Sequence, residues 1–217
     1  VSGFAPFEAL AAALLVHLPG GDDGAHDRAH IARVWANATR IAAAEGGDRE
    51  VIAAAVLLHD CVHVEKSSPL RNQASRLAAE RASEILAGID WEQHRIAAVA
   101  HAIAAHSFSA GIPPETLEAR ILQDADRLDA IGYIGIARCF YTGGRMGSAL
   151  YHPDDPAASS RPLDDRAYAL DHFRAKLLTL ASGFQTQTGA RLAVERTDVL
   201  AHFVAGFEAE ISPGSAE

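Results

Sequence analysis

The sequence is poor in sulfur and in aromatic carbon: two cysteines, one methionine, two tryptophans and 6% aromatic residues. Cys61 and Cys139 are far apart and form no CxxC, which argues against a disulfide framework and a thiolate zinc site. Two isolated thiols suit a reducing compartment, so a cytoplasmic location is expected. No run reaches the ~20 apolar residues of a membrane span, so no membrane partner is expected. The early apolar stretch "FEALAAALLVHLPGG" carries Glu8 and lacks a basic leader, and so reads as a short core helix rather than a signal peptide. Sustained alternation of β-branched residues is absent. So are a Gly-x-Ser-x-Gly elbow, a P-loop and a dinucleotide fingerprint. Positive charge is scarce: 19 Lys and Arg against 28 Asp and Glu, for a net charge of −9. That balance argues against a broad nucleic-acid face.

What remains is helix. Hydrophobic residues make up 49% of the chain, many of them alanine, the strongest helix former. "DRAHIARVWANATRIAAAEGG" places Ile31, Val34, Trp35, Ala38 and Ile41 at helical spacing before Gly46-Gly47, with Asp27 where an N-cap belongs. "DREVIAAAVLLHD" is apolar nearly all round, which predicts a central, buried helix. Ser67-Ser68-Pro69 predicts a capped start for an amphipathic helix running to Gly88. A helix ending near Ser107 follows, then a long one interrupted at Gly132 and Gly135, an irregular stretch from Thr142 to Asp165, and two amphipathic C-terminal helices. The expected architecture is all-α: a compact single-domain bundle of seven or eight helices over residues 1–217.

Chemistry enters where that apolar pattern breaks. The buried helix ends in His59-Asp60, and a buried charge needs a partner or a metal. His30 lies on the core side of the preceding helix. "QDADRLDAIG" sets Asp124, Asp126 and Asp129 into an apolar helical segment, with Asp126 and Asp129 on one i,i+3 face and Asp124 pointing elsewhere. Two imidazoles and two carboxylates make a mixed N/O set suited to one divalent ion (Mn, Fe, Co, Ni, Zn or Mg), with room left for water and a substrate oxygen.

The order His…His-Asp…Asp across an all-α chain resembles the HD-domain superfamily of metal-dependent phosphohydrolases. "HDRAHIARVWANA", "LLHDCVHVEKSSPLRNQAS" and "ILQDADRLDAIGYIGIAR" carry the likeness over about residues 26–140. "PLRNQAS", "HSFS", "YHPDDP" and "DHFRAKLLTL" extend it toward a subgroup of small stand-alone bacterial HD hydrolases, with helices over 165–211 packed on the motif core. The resemblance implies His30, His59, Asp60 and Asp126 as metal ligands, and leaves His26-Asp27 as a second His-Asp dipeptide without a ligand role. It also implies attack of a metal-bound hydroxide on a phosphomonoester or pyrophosphate bond of a nucleotide or another phosphorylated small molecule.

Asp60, His63, His106 and Asp129 are the candidates for the chemical step. At His63 some HD families carry an acid, so this sequence departs from them. A His there offers a general base or a hydrogen bond to phosphate. His101 and His106 are about 140° apart around a helix, so they face one site together only if the helix ends between them. Lys66, Arg71, Arg127 and Arg145 are the candidates for phosphate contacts, with Arg138 and Lys176 behind them. The competing readings are a di-iron oxygenase of HD type, which needs further His ligands, and a non-catalytic metal-binding sensor. The amphipathic C-terminal surface also offers a face for a homodimer.

Overall fold

Helix α3, Arg49–Leu58, is the element around which the first half of the chain is built. The Asp48 carboxylate caps it, accepting from the Glu50 and Val51 amides at 2.9 and 3.1 Å. Every side chain from Val51 to Leu58 is buried. Fully burying an aliphatic side chain stabilises by about 1.5–3 kcal/mol, so this segment is a major part of the core. The computed structural model describes residues 3–18, 28–64, 68, 70–107 and 110–211.

The described α-helices are α1 (Glu8–Leu14), α2 (Arg28–Glu45), α3, α4 (Ala74–Ala87), α5 (Gln93–His106), α6 (Leu117–Asp129), α7 (Gly132–Met146), α8 (Ala169–Ala175) and α9 (Gln187–Ile211). No strand occurs among the described residues; one isolated bridge pairs Ala149 with Tyr168. The all-α class expected from composition and periodicity is what the structure shows. No described helix is long and apolar enough to cross a membrane.

The residues gather into two compact units. The first holds residues 1–126 and 185–189, the second 127–184 and 190–217, so two of the three boundaries fall inside α6 and α9 and the third lies just before α9. In the first unit α3 packs against α1, α2, α4 and α5, and α4 pairs closely with α5. The inward stripe of α2 is His30, Ile31, Val34, Trp35, Asn37, Ala38, Ile41 and Ala42, the i, i+3, i+4 pattern of a half-buried helix. Asn37 Nδ2 donates to the Ala125 carbonyl at 3.0 Å, tying α2 to α6.

In the second unit Phe140, Phe173, Phe203 and Phe207 join α7, α8 and α9, with ring centroids 5.5–5.9 Å apart. Two features differ from the sequence pattern. α8 stops after about two turns, at Lys176 (φ −139°, ψ −58°), and the apolar run continues as a 3-10 helix over Leu177–Gly183. The irregular stretch starts later than its composition suggests, because α7 runs through Gly143 and Gly144 to a left-handed cap at Gly147 (φ 77°). Its ends are closed by backbone bonds from Ala149 N to Ala167 O and from Ala169 N to Ala149 O, both 2.9 Å.

The proposed capping residues Asp27 and Ser67, and Pro69 with them, lie outside the described residues. What is described of that start is a 3-10 turn, Arg71–Gln73, leading into α4.

Candidate metal centre

His59 follows the last residue of α3, where helix carbonyls have no N–H partner within the helix. Its Nδ1–H donates to the Val56 carbonyl at 2.8 Å. That bond fixes the ring and puts the bare lone pair on Nε2, the tautomer a metal ligand requires. The turn after it is anchored by Cys61, whose amide donates to Leu58 O at 3.1 Å and whose thiol donates to Ala78 O at 3.5 Å. Burial pushes the Cys61 thiol up to about 11, and its Sγ is turned to the Ala78 carbonyl, outside the His30, His59 and Asp60 group. Asp60 is the first residue of the turn, and α3 is thereby aimed so that a buried imidazole and a half-exposed carboxylate leave its end side by side.

His30, in the first turn of α2, points its Nε2 at the same place. It lies 3.2 Å from His59 Nε2, 3.6 Å from Asp60 Oδ2 and 3.5 Å from Asp126 Oδ1. His59 Nε2 is 3.5 Å from Asp60 Oδ2 and 3.9 Å from Asp126 Oδ1. Ligands held ~2.1 Å from one ion in tetrahedral or octahedral geometry are about 3–3.5 Å from each other, so the donor set matches a first-row divalent ion. Both imidazoles are about 1% exposed, whereas the Asp60 and Asp126 side chains are 33% and 28% exposed. The nitrogen side of the cluster is therefore buried and the carboxylate side is open. Among the described residues His30, His59 and Asp60 form a three-ligand group on geometry alone.

The other expected residues fall in different places. His106 ends α5 buried, its ring edge-on to that of His59 with centroids 5.1 Å apart. Burial first, and then the neighbouring His59, holds its pKa below the ordinary value. His101 is engaged elsewhere, its Nε2 accepting from the Glu115 amide at 3.0 Å. His63 is exposed. Asp129 is buried and paired with Arg138 at 2.7 Å in the second unit, so its carboxylate is committed to a guanidinium. Arg127 donates to the Gly183 carbonyl, and the exposed Arg145 lies 5.7 Å above the Tyr141 ring. Lys66, and the dipeptide His26-Asp27, lie outside the described residues, as does the Arg71 side chain.

Sequence reasoning gave Asp124 no role beyond pointing elsewhere. It is fully buried and accepts from the Gln185 amide, the Thr186 amide and the Thr186 hydroxyl at 2.9, 2.7 and 2.7 Å. It also passed over Ser75 and Gln123, both buried beside the end of α5. Neither carries a signal that separates it from an ordinary polar helix residue.

Comparison with known proteins identifies the family. The HD domain family matches residues 28–131, a span containing all four clustered residues. The YpgQ protein of Bacillus subtilis (strain 168) is 32% identical over 200 residues, covering 90% of this chain and 89% of its own. A crystal structure of Bacillus subtilis YpgQ in complex with ADP is 29% identical, with a TM-score of 0.71 over 94% of this chain and 97% of that one. An HD-superfamily hydrolase from Bacillus thuringiensis is 30% identical, with a TM-score of 0.69 over 96% of both chains.

Proposed function

Since this chain belongs to the HD-domain superfamily, we propose that it is a metal-dependent phosphohydrolase acting on nucleotides or similar phosphorylated small molecules. The observation that carries this reading is the convergence of two buried imidazole nitrogens and two half-exposed carboxylate oxygens, with the His–His and His–Asp separations all between 3.2 and 3.9 Å. His30, His59, Asp60 and Asp126 would hold one divalent ion. When bound, such an ion supplies Lewis-acid polarisation of a phosphoryl oxygen and acidifies a water.

The chain's own residues do the rest. The Val56 carbonyl keeps His59 in the ligating tautomer. Asp60 and Asp126 would balance the charge of the ion and leave the open side for substrate. His63, exposed three residues beyond Asp60, would take a proton from water or donate to a phosphate oxygen. His106 backs the site against His59. Lys66, Arg71, Arg127 and Arg145 are the cationic side chains proposed to meet phosphate, which a chain of net charge −9 needs locally. The capture of ADP by the Bacillus subtilis relative supports a nucleoside phosphate as the substrate class. Cleavage of a phosphomonoester and of a pyrophosphate bond both follow from such a site.

The test is a metal-by-substrate screen that follows phosphate and pyrophosphate release separately, with metal content measured in parallel. Turnover should need the metal and vanish in His59→Ala and Asp60→Ala, which should also lose bound metal while keeping their helical circular dichroism. His26→Ala should keep its metal. Full metal content in both ligand variants, or no release from any phosphate ester with metal loaded, overturns the proposal.

A further inference from the structure

The last turn of α5 is closed by three side chains from three parts of the chain. His106 Nδ1 donates to the Ile103 carbonyl at 2.6 Å. Ser75 Oγ, from α4, donates to the Ala104 carbonyl at 3.0 Å. Gln123 Nε2, from α6, donates to the Ala105 carbonyl at 2.7 Å. These carbonyls stand where a helix runs out of its own N–H partners. Ser75 and Gln123 are each 3% exposed and His106 is 8% exposed, so protein groups must satisfy what water does not reach.

The amide of Gln123 has one permitted orientation. A carbonyl only accepts, so the atom facing Ala105 O must be the nitrogen. Gln123 Oε1 is left buried with no hydrogen-bond partner. A leucine or methionine of similar volume would avoid that desolvation cost but would abandon the Ala105 carbonyl. The position also matters. Gln123 is three residues before Asp126, on the same face of α6 one turn earlier. One side chain of this face anchors the end of α5 and the next supplies a ligand oxygen.

We propose that Ser75 and Gln123 are positioning residues of the metal centre. Through the Ala104 and Ala105 carbonyls they lock the last turn of α5 and so hold the His106 ring edge-on against His59, with its proton on Nδ1. They act through His106, which bears on the ring whose Nε2 faces the other three ligand atoms. This inference rests on the reading of the four-residue cluster as a metal site.

The experiment uses the full chain with Ser75→Ala, Ser75→Thr, Gln123→Leu, His106→Ala and the Gln123→Leu/His106→Ala double variant. Two quantities are read: Mn²⁺ affinity by calorimetry, and the imidazole ¹⁵N spectrum of the metal-free protein, which reports tautomers. Gln123→Leu should weaken Mn²⁺ binding about tenfold, as loss of support around a ligand commonly does, and should move the His106 and His59 ring signals. Ser75→Ala should do the same to a smaller degree, and Ser75→Thr should restore both readouts. Added to His106→Ala, Gln123→Leu should change affinity less than about twofold, because its route to the metal is already gone. Unmoved ring signals in both Gln123→Leu and Ser75→Ala, or an undiminished Gln123→Leu effect in the His106→Ala background, overturn the proposal. A wild-type protein that binds no Mn²⁺ or other divalent ion would overturn the metal reading instead, and the ring spectra would still decide whether the clamp exists.

Discussion

Asp124 and Asp126 stand two positions apart on α6 and have different tasks. Asp126 is part-exposed and aimed at two imidazoles, while Asp124 is fully buried and holds the backbone around Gln185 and Thr186. Asp124→Ala should cost the metal-free protein about 2–4 kcal/mol in urea unfolding, because it strands the buried amide and hydroxyl of Thr186 and removes the acceptor of the Gln185 amide. Asp126→Ala should leave that curve nearly unchanged and remove bound metal. The four residues of the cluster could be picked out in the sequence because imidazoles and carboxylates interrupt apolar helix there in a recognised order. Asp124's task was not legible, since its partners lie 61 and 62 residues away. The same holds for Ser75 and Gln123, whose importance comes from carbonyls on another helix. Asp171 adds a pH-dependent case. Burial pushes its carboxyl up, but two hydrogen bonds from Arg161, at 2.5 and 2.8 Å, and one from the Asp164 amide outweigh that and hold it below the usual carboxylate range. Its stabilisation is therefore present in full above the ordinary carboxylate pKa and is lost as pH falls through the lower, folded value. Arg161→Met leaves the carboxylate buried without its cation. It should cost about 3–5 kcal/mol at neutral pH and move the acid-unfolding midpoint upward in a circular-dichroism titration.

Helix starts and stops show where pattern was sufficient and where packing took over. The position of α3 was readable from its apolar run, and the structure adds that the Asp48 carboxylate caps it. Asp48→Ala should cost about 1 kcal/mol in chemical unfolding. The break between α6 and α7 was marked by Gly132, which takes φ +71°, a conformation few other residues adopt. Gly135 has a different reason for being glycine. A Cβ there would overlap the Ala130 carbonyl, which leaves no room as α7 begins. Gly135→Ala should destabilise by at least about 1–3 kcal/mol, and a thermal melt would read it. The end of α8 was not readable, because its apolar spacing runs on into the 3-10 segment without a glycine or proline at Lys176. Nor was the internal order of the stretch after Gly147. Asp155 accepts from the Ser159 and Ser160 amides at 2.9 and 2.8 Å, and Arg161 stacks 4.8 Å above Tyr168. Composition alone presents those residues as a polar connector.

At the scale of the chain, periodicity disclosed the helical class and most helix positions, and the motif order disclosed the family. The gathering into two units was hidden, because two of the three boundaries run through α6 and α9 and the third lies in the short connection before α9, with no long linker to mark them. α3, whose apolar residues face neighbours on all sides, should be the least forgiving element: Leu57→Ala should cost about 2–5 kcal/mol in urea unfolding. The His-Asp cluster joins the start of α2, the end of α3 and the last turn of α6, and His30 and His59 are 29 residues apart in sequence. An ion held by side chains so distant along the chain behaves as a reversible cross-link. It ties loops that the unfolded chain would leave open, and ion and fold then share one free energy. Chelation alone should lower the melting temperature, and protease should cut between α2 and α3 sooner, so the loading of the site can be followed by its resistance to digestion before any substrate is known.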